Sequence, residues 1–335
     1  MSPPSPLISV IVPNYNHAPY LRQRLDSIFG QTFQDFEVII LDDCSTDNSR
    51  EIIDEYRHRP QVSHIVYNEE NTGSPFKQWA RGFGCAKGEF IWIAESDDWA
   101  DVLFLERMAG FLQQDPSLAL VFCESCWEYP NESIPQRIFP KTRKMRGIDF
   151  IRTRQIYYNH ICNASAVLFR AKLLSAIPGD YQSYQGSGDY ILWSQLCEHG
   201  NLAYVAEPLN HFRQHPANTT RNCIATGNSF LENFRIYQHF KKNGYISTFA
   251  DYRVVEYELS QMELNRPSLE ASGQYAQCRE LWQNERPANG VLASLAFFFA
   301  RRFNECANLP VPAAIWTFLH LPHTGLGEKI RRWRA

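Results

Sequence analysis

The chain has 335 residues, 44% of them apolar and 21% charged, with 33 basic and 36 acidic side chains for a formal net charge of -3. That length allows one large unit with a proper core and a smaller region beside it, and the ordinary composition points to a globular enzyme rather than a disordered or fibrous chain. The near-neutral charge excludes the global basic field that would mark nucleic acid as a partner.

The first 16 residues have no basic segment ahead of a long apolar one, so no signal peptide is expected. Residues 7–12 (LISVIV) are apolar and β-rich and predict a buried strand. Residues 19–29 place Leu21, Leu25 and Ile28 at helical spacing. Residues 36–41 read as a second strand, residues 47–56 as a short helix that Asp47 can cap, and residues 62–67 as a third strand. A helix over 76–86, a strand over 90–94 and a helix over 102–112 follow. This alternation predicts parallel βαβ units in a doubly wound, mostly parallel α/β sheet.

Residues 118–127 are another strand-like run, and within it Cys123 and Cys126 form a CxxC. A lone pair fits either two buried strand cysteines or a zinc or redox pair. The nine cysteines are odd in number and scattered, which points to a reducing, cytoplasmic compartment rather than a secreted disulfide framework. Residues 130–146, rich in proline and basic side chains, read as a loop, residues 164–169 as a strand and 190–196 as a helix. Beyond about residue 221 the pattern turns helical, over 230–240, 252–264, 276–282 and 291–303. No stretch reaches the roughly 20 apolar residues of a membrane span.

In a doubly wound sheet, ligands sit beyond the carboxyl ends of the strands. Those ends read Pro13-Asn14-Tyr15-Asn16, Asp42-Asp43-Cys44-Ser45 and Glu95-Ser96-Asp97-Asp98. Carboxylates gathered after an apolar strand can hold a hard cation such as Mg2+ or Mn2+, which takes oxygen ligands and shares substrate phosphates. A departing diphosphate needs that neutralisation. The same acids also fit the capped start of the next helix. Asp42 and Asp43 repel each other and want solvent or a donor-rich ligand, such as a nucleobase N–H. A helix cap is again the alternative.

Together these segments resemble the family 2 glycosyltransferases, which have the GT-A fold. The resemblance rests on residues 9–16 (SVIVPNYN), Gln31-Thr32-Phe33, residues 41–49 (LDDCSTDNS), Gly88-Glu89-Phe90-Ile91 and Glu95-Ser96-Asp97-Asp98, in the family's order and spacing over roughly residues 7–215. It implies an inverting, metal-dependent transfer of sugar from a nucleotide-diphosphate sugar, a UDP-sugar first, to a glycan or lipid-linked glycan. Pro13, Tyr15, Asn16, Asp42 and Asp43 would bind the donor nucleotide. Asp97 would hold Mn2+ or Mg2+ as the last acid of a DxD-type motif, with Glu95 and Asp98 beside it. Glu95 makes this an ExD variant.

A second departure is Trp79, near where many relatives carry an Arg that meets the donor phosphates. Lys77 is the candidate substitute, with a solvated helix face as the alternative. Gly188-Asp189-Tyr190-Ile191-Leu192-Trp193 resembles the family's acidic motif before a Leu-Trp helix. There Asp189 would be the catalytic base, a helix N-cap, or both. Phe212-Arg213-Gln214-His215 resembles the family's Arg-x-His segment, where His215 would complete the metal or diphosphate site.

The resemblance over roughly 7–215 and the change to a helical pattern beyond about residue 221 together divide the chain into a GT-A region, 1–222, and a helical C-terminal region, 223–335. In the latter, residues 291–303 are Phe-rich and residues 329–334 (KIRRWR) are basic. They fit peripheral contact with the inner face of a membrane, or a helical cap with a solvated tail. Two other readings compete. A sugar nucleotidyltransferase would want a Gly-rich, basic loop where this chain has Pro13-Asn14-Tyr15-Asn16-His17. A non-catalytic module for sugar nucleotides or glycans would not need both Asp97 and Asp189. No GxGxxG follows a strand, which argues against a dinucleotide dehydrogenase.

Overall fold

The structure, a computed structural model, describes residues 5–215 and 219–286. The strands are β1 (Ile8–Asn14), β2 (Phe36–Asp42), β3 (Val62–Tyr67), β4 (Phe90–Ile93), β5 (Trp99–Ala100), β6 (Leu118–Glu128), β7 (Ser133–Gln136), β8 (Arg143–Met145), β9 (Val167–Arg170) and β10 (Asn201–Arg213). The helices are α1 (Ala18–Phe29), α2 (Ser49–Tyr56), α3 (Pro75–Cys85), α4 (Phe104–Gln114), α5 (Gly147–Phe150), α6 (Gly188–Glu198), α7 (Thr219–Ala225), α8 (Asn228–Lys242), α9 (Thr248–Leu264), α10 (Arg266–Ala271) and α11 (Tyr275–Asn284).

The strands form one mixed, mostly parallel sheet in the order β3-β2-β1-β4-β9-β6-β10-β5, with β7 on β6 and β8 on β10. β1 runs parallel to β2 and β4 and carries the middle of the parallel half. β9 is antiparallel to β4 and β6.

Strand alternation builds two cores, because successive side chains point to opposite faces. Val10, Val12, Val38 and Ile40 face Leu21, Leu25 and Ile53 of α1 and α2. Ile11, Ile39 and Leu41 face Phe76 and Trp79 of α3. Each fully buried aliphatic side chain stabilises by roughly 1.5–3 kcal/mol, which fixes the register of β1 and so the place of its last residues. A third cluster, with Phe230, Val255, Met262 and Trp282, lies within α8–α11. Ile236 and Phe240 of α8 join it to the sheet's second core.

The helix starts differ from expectation. Asp47 takes the backbone N–H of Ser49 at 3.0 Å and that of Ala18 at 2.9 Å, so it serves the first turns of both α2 and α1. Neither Asp97 nor Asp98 caps α4; Asp101 accepts from Leu103 N at 2.9 Å instead. β10 was not legible, since Glu207 and Pro208 interrupt its apolar pattern and its pairing with β6 shifts register there. Residues 130–146, expected as loop, contain β7 and β8, which are short, largely exposed and without an apolar period. The predicted helix over 291–303 and the basic segment 329–334 lie outside the described residues. Among the described residues no helix is long and apolar enough to cross a membrane.

Candidate active site

The parallel strands β1, β2 and β4 end on one cavity of about 690 Å3. The loops after these strands make one wall. The first turns of α3 and α6 make the floor. Thr219 and Asn222 of α7, and Thr226 just after it, also line the cavity.

The wall after β1 and β2 is held by a network of its own. Asn16 has φ of +55°, a left-handed conformation that Asn tolerates better than most residues. Its Oδ1 accepts from Thr46 N at 2.7 Å and its backbone N–H donates to Ser45 Oγ at 2.9 Å. Asn16 therefore ties the two loops together. Asp42 is fully buried behind the wall and accepts from Asn14 Nδ2 at 2.9 Å and Arg50 Nε at 3.0 Å. It does not line the cavity. Asp43 does, and it is anchored by Asn68 Nδ2 at 2.7 Å, Thr72 Oγ1 at 2.8 Å and Gln78 Nε2 at 2.8 Å. Pro13 lies in the wall, and Tyr15, 45% exposed, presents a free ring at its edge.

The acids after β4 separate by direction. Asp97 Oδ2 lies 2.9 Å from His215 Nε2. His17 joins them: one ligand atom from each of His17, Asp97 and His215 lies within 4.8 Å of the others. Burial works against ionising Asp97, but the hydrogen bond from His215 and the charges of His17 and His215 outweigh it and hold its carboxyl below the ordinary value. Asp98 does not fit a cation-binding role, because its carboxylate faces inward. It takes Ser165 Oγ at 2.7 Å, Asn163 Nδ2 at 2.9 Å and the Arg213 backbone N–H at 3.0 Å. Buried Arg24 lies beneath it at 3.9 Å. Burial and the nearby Asp97 charge push Asp98 up to about 7. Glu95 lines the cavity, but outside the trio, and accepts from Trp79 Nε1 at 2.8 Å. Burial, then Asp97 and Asp98, push it up to about 8.

Asp189 stands in the first turn of α6 and lines the same cavity as Asp43 and Asp97. It is not the N-cap, a position held by Ser187. Asn159 Nδ2 donates to its Oδ2 at 2.8 Å, and its Oδ1 accepts from Tyr190 N at 2.7 Å. Burial pushes its carboxyl up to about 7 against these bonds. A proton acceptor poised near neutrality suits general-base work.

Two contacts fix the turn that carries Asp189. A Cβ on Gly188 would meet the Phe76 ring at 2.6 Å, so only glycine lets α6 start this close to α3. Glu232 of α8, itself buried, accepts the backbone N–H groups of Gln185, Gly186 and Ser187 at 2.5, 3.0 and 2.8 Å.

Among the described residues the cavity lining includes Asp43, Glu95, Asp97 and Asp189 and no Lys or Arg. Lys77 stands outside it, exposed, with Nζ donating to the Thr72 carbonyl at 3.1 Å.

A family model described as Glycosyl transferase family 2 matches residues 9–177, about half of the chain. The chain belongs to glycosyl transferase family 2. The match covers β1 to β9 and ends before Asp189. Over 176 residues, 50% of this chain and 30% of the relative, it is 30% identical to the poly(ribitol-phosphate) β-N-acetylglucosaminyltransferase TarS of Staphylococcus aureus. It is 35% identical over 109 residues, 32% of this chain and 43% of the relative, to the putative teichuronic acid biosynthesis glycosyltransferase TuaG of Bacillus subtilis. These matches span less than half the length of either relative.

Among solved structures, S. aureus TarS superimposes with a TM-score of 0.63 at 21% identity, covering 84% of this chain and 50% of that one. Its 1–349 fragment in complex with UDP-GlcNAc gives 0.55 at 18% identity, covering 84% and 93%. These likenesses show the GT-A fold that the family implies.

Sequence reasoning missed His17, Asn159, Gln78 and Glu232. His17 carried one readable signal, since it follows the first strand end by three residues. The others come from the loop ahead of β9, from α3 and from a helix of the C-terminal region, and nothing local marks them.

Proposed function

We propose that this chain is an inverting, metal-dependent glycosyltransferase that moves a sugar from a nucleotide-diphosphate sugar to a hydroxyl of a glycan or lipid-linked glycan, in cell-surface polysaccharide assembly. The observation that carries this reading is one cavity lined by His17 and Asp97, which cluster with His215, and by Asp189, whose carboxyl burial raises to about 7.

The trio fits a divalent cation. One carboxylate held in its ionised form and two imidazoles are a mixed oxygen and nitrogen set, which favours Mn2+ over Mg2+. The acidic lining adds a second reason, because a diphosphate could not enter it uncompensated. When bound, the cation would neutralise the charge of the departing nucleoside diphosphate. In this reading Asp97, His17 and His215 are the ligands, Glu95 is anchored to α3 by Trp79, and Asp98 and Arg24 brace the segment from below.

Pro13, Tyr15, Asn16 and Asp43 would form the donor nucleotide wall, with Asp42 acting from behind through Asn14. Asp189 would take the proton of the acceptor hydroxyl as its oxygen bonds to the anomeric carbon and the diphosphate leaves from the opposite face. One such displacement inverts the anomeric configuration. A UDP-sugar is the donor to test first, supported by the relative named for N-acetylglucosaminyl transfer and crystallised with UDP-GlcNAc. A mannosyltransferase from Pyrobaculum calidifontis with GDP-Man and Mn2+, with a TM-score of 0.50 at 17% identity over 94% of this chain and 84% of that one, makes GDP-mannose the competitor. The division into a transferase region, 1–222, and a helical region, 223–335, belongs to the same proposal, with α7 at the boundary contributing to the cavity. Action on a lipid-linked acceptor at a membrane face would rest on residues 291–334, outside the described part.

The test is a melting titration with UDP, GDP and dTDP, each with and without Mn2+, followed by a transfer assay with the sugar nucleotide of the base that binds. A ligand of the folded state raises the melting temperature by mass action. A Mn2+-dependent rise with one nucleotide and subsequent transfer supports the proposal. No rise with any of them overturns it in favour of a non-catalytic module.

A further inference from the structure

We propose a second metal site, at Cys126, Glu128 and His211, for zinc or another soft divalent transition ion. Cys126 and Glu128 are two apart on β6 and so share a face. His211 is the register partner of Cys126 on parallel β10. One ligand atom from each of the three lies within 4.8 Å of the other two. His211 Nδ1 is 2.7 Å from Glu128 Oε1, and Ser133 Oγ donates to that same oxygen at 2.8 Å.

The chemistry and the spacing agree. Metal–ligand bonds of about 2.0–2.3 Å around a tetrahedral ion put neighbouring ligand atoms about 3.3–3.7 Å apart. The three ligand atoms lie within 4.8 Å of one another, near that spacing. A thiolate with an imidazole selects a soft ion over Mg2+ or Ca2+. Three protein ligands leave the fourth position for water. The CxxC itself is not the chelate: Cys123 is three residues from Cys126, faces the opposite side of the strand and is buried in the first core.

The site is set up by its surroundings. The Trp99 ring stacks on His211 with centroids 4.9 Å apart and planes 3° off parallel. Orientation of a ligating imidazole by a neighbouring group is a usual device of metal centres. Trp99 also carries the Arg213 guanidinium at 4.6 Å, and Arg213 Nε donates to the Asp97 carbonyl at 2.8 Å. An ion on His211 would therefore brace the strand pair just behind the acidic segment. The site stands on these residues alone and does not depend on the proposed transferase activity.

The experiment is a Co2+ titration of the full chain after chelator treatment, read by absorbance. A bound thiolate gives an intense near-ultraviolet charge-transfer band, which the His17–Asp97–His215 trio cannot produce because it holds no sulfur. The band is expected in the wild type, to persist in a His17→Ala/His215→Ala double variant and to disappear in Cys126→Ser. His211→Gln, which leaves the thiol in place, is expected to lose the band or shift it, and it covers the case in which Cys126→Ser does not fold. No band in the wild type, or a band that survives both Cys126→Ser and His211→Gln, overturns the proposal.

Discussion

Trp79 and Glu95 are bonded to each other. The indole Nε1 of the one donates to the carboxylate Oε1 of the other at 2.8 Å. These are two of the positions at which the sequence departs from the pattern that the resemblance implies, Trp79 near a usual Arg and Glu95 at the head of the acidic motif. The longer Glu side chain reaches α3, where the indole receives it, so the two departures make one arrangement.

That arrangement predicts coupling. Trp79→Phe and Glu95→Gln should each lower stability, and the double variant should lose less than the sum. The expected coupling is about 1–2 kcal/mol, the range for a buried hydrogen bond to an ionisable partner. Chemical denaturation of the four proteins measures it. Additive losses would mean that the bond does not join the two sites.

The trio predicts a metal phenotype. Asp97→Ala and His215→Ala should each abolish the Mn2+-dependent part of the nucleotide-induced melting shift. His17→Ala should weaken it with the same sign. Nucleotide binding without metal should be unchanged in all three. A full Mn2+-dependent shift in His17→Ala would restrict the cation to Asp97 and His215.

Asp189 predicts a pH profile. Its carboxyl titrates near 7 because burial raises it, and a base works only when deprotonated. kcat/KM, which reports the free enzyme, should therefore rise with pH through about 7 and level off above it. Asp189→Asn should keep donor binding and abolish transfer. A flat profile between pH 5 and 8, as measured by initial rates, would remove Asp189 from this role.

Glu232 predicts a split between binding and turnover. It holds three successive N–H groups ahead of Asp189, and its negative charge helps to keep the Asp189 carboxyl raised. Glu232→Gln removes that charge and part of the acceptor capacity, at a cost of about 1–3 kcal/mol for buried groups left unmatched. The melting temperature should fall, kcat should drop while donor binding holds, and the acid limb of the kcat/KM profile should move to lower pH. An unmoved limb in a folded variant would leave Glu232 with a purely structural part.

The sequence by itself determined the parallel half of the sheet and the place to look. Continuous apolar runs between helices of period 3.6 mark β1, β2 and β4 as buried parallel strands, and the segments at their ends carry Pro13, Asp43 and Asp97 to one edge. Local pattern could not say which way each acid turns. Asp97 and Asp98 are neighbours, yet one meets His215 while the other is taken inward by Ser165 and Asn163. Those partners lie far along the chain, on elements whose positions only the packed sheet decides. The same holds for Asp189, which reaches the cavity because Gly188 clears Phe76 and Glu232 holds the turn. Burial then raises its carboxyl, and burial is a property of the whole fold rather than of any segment.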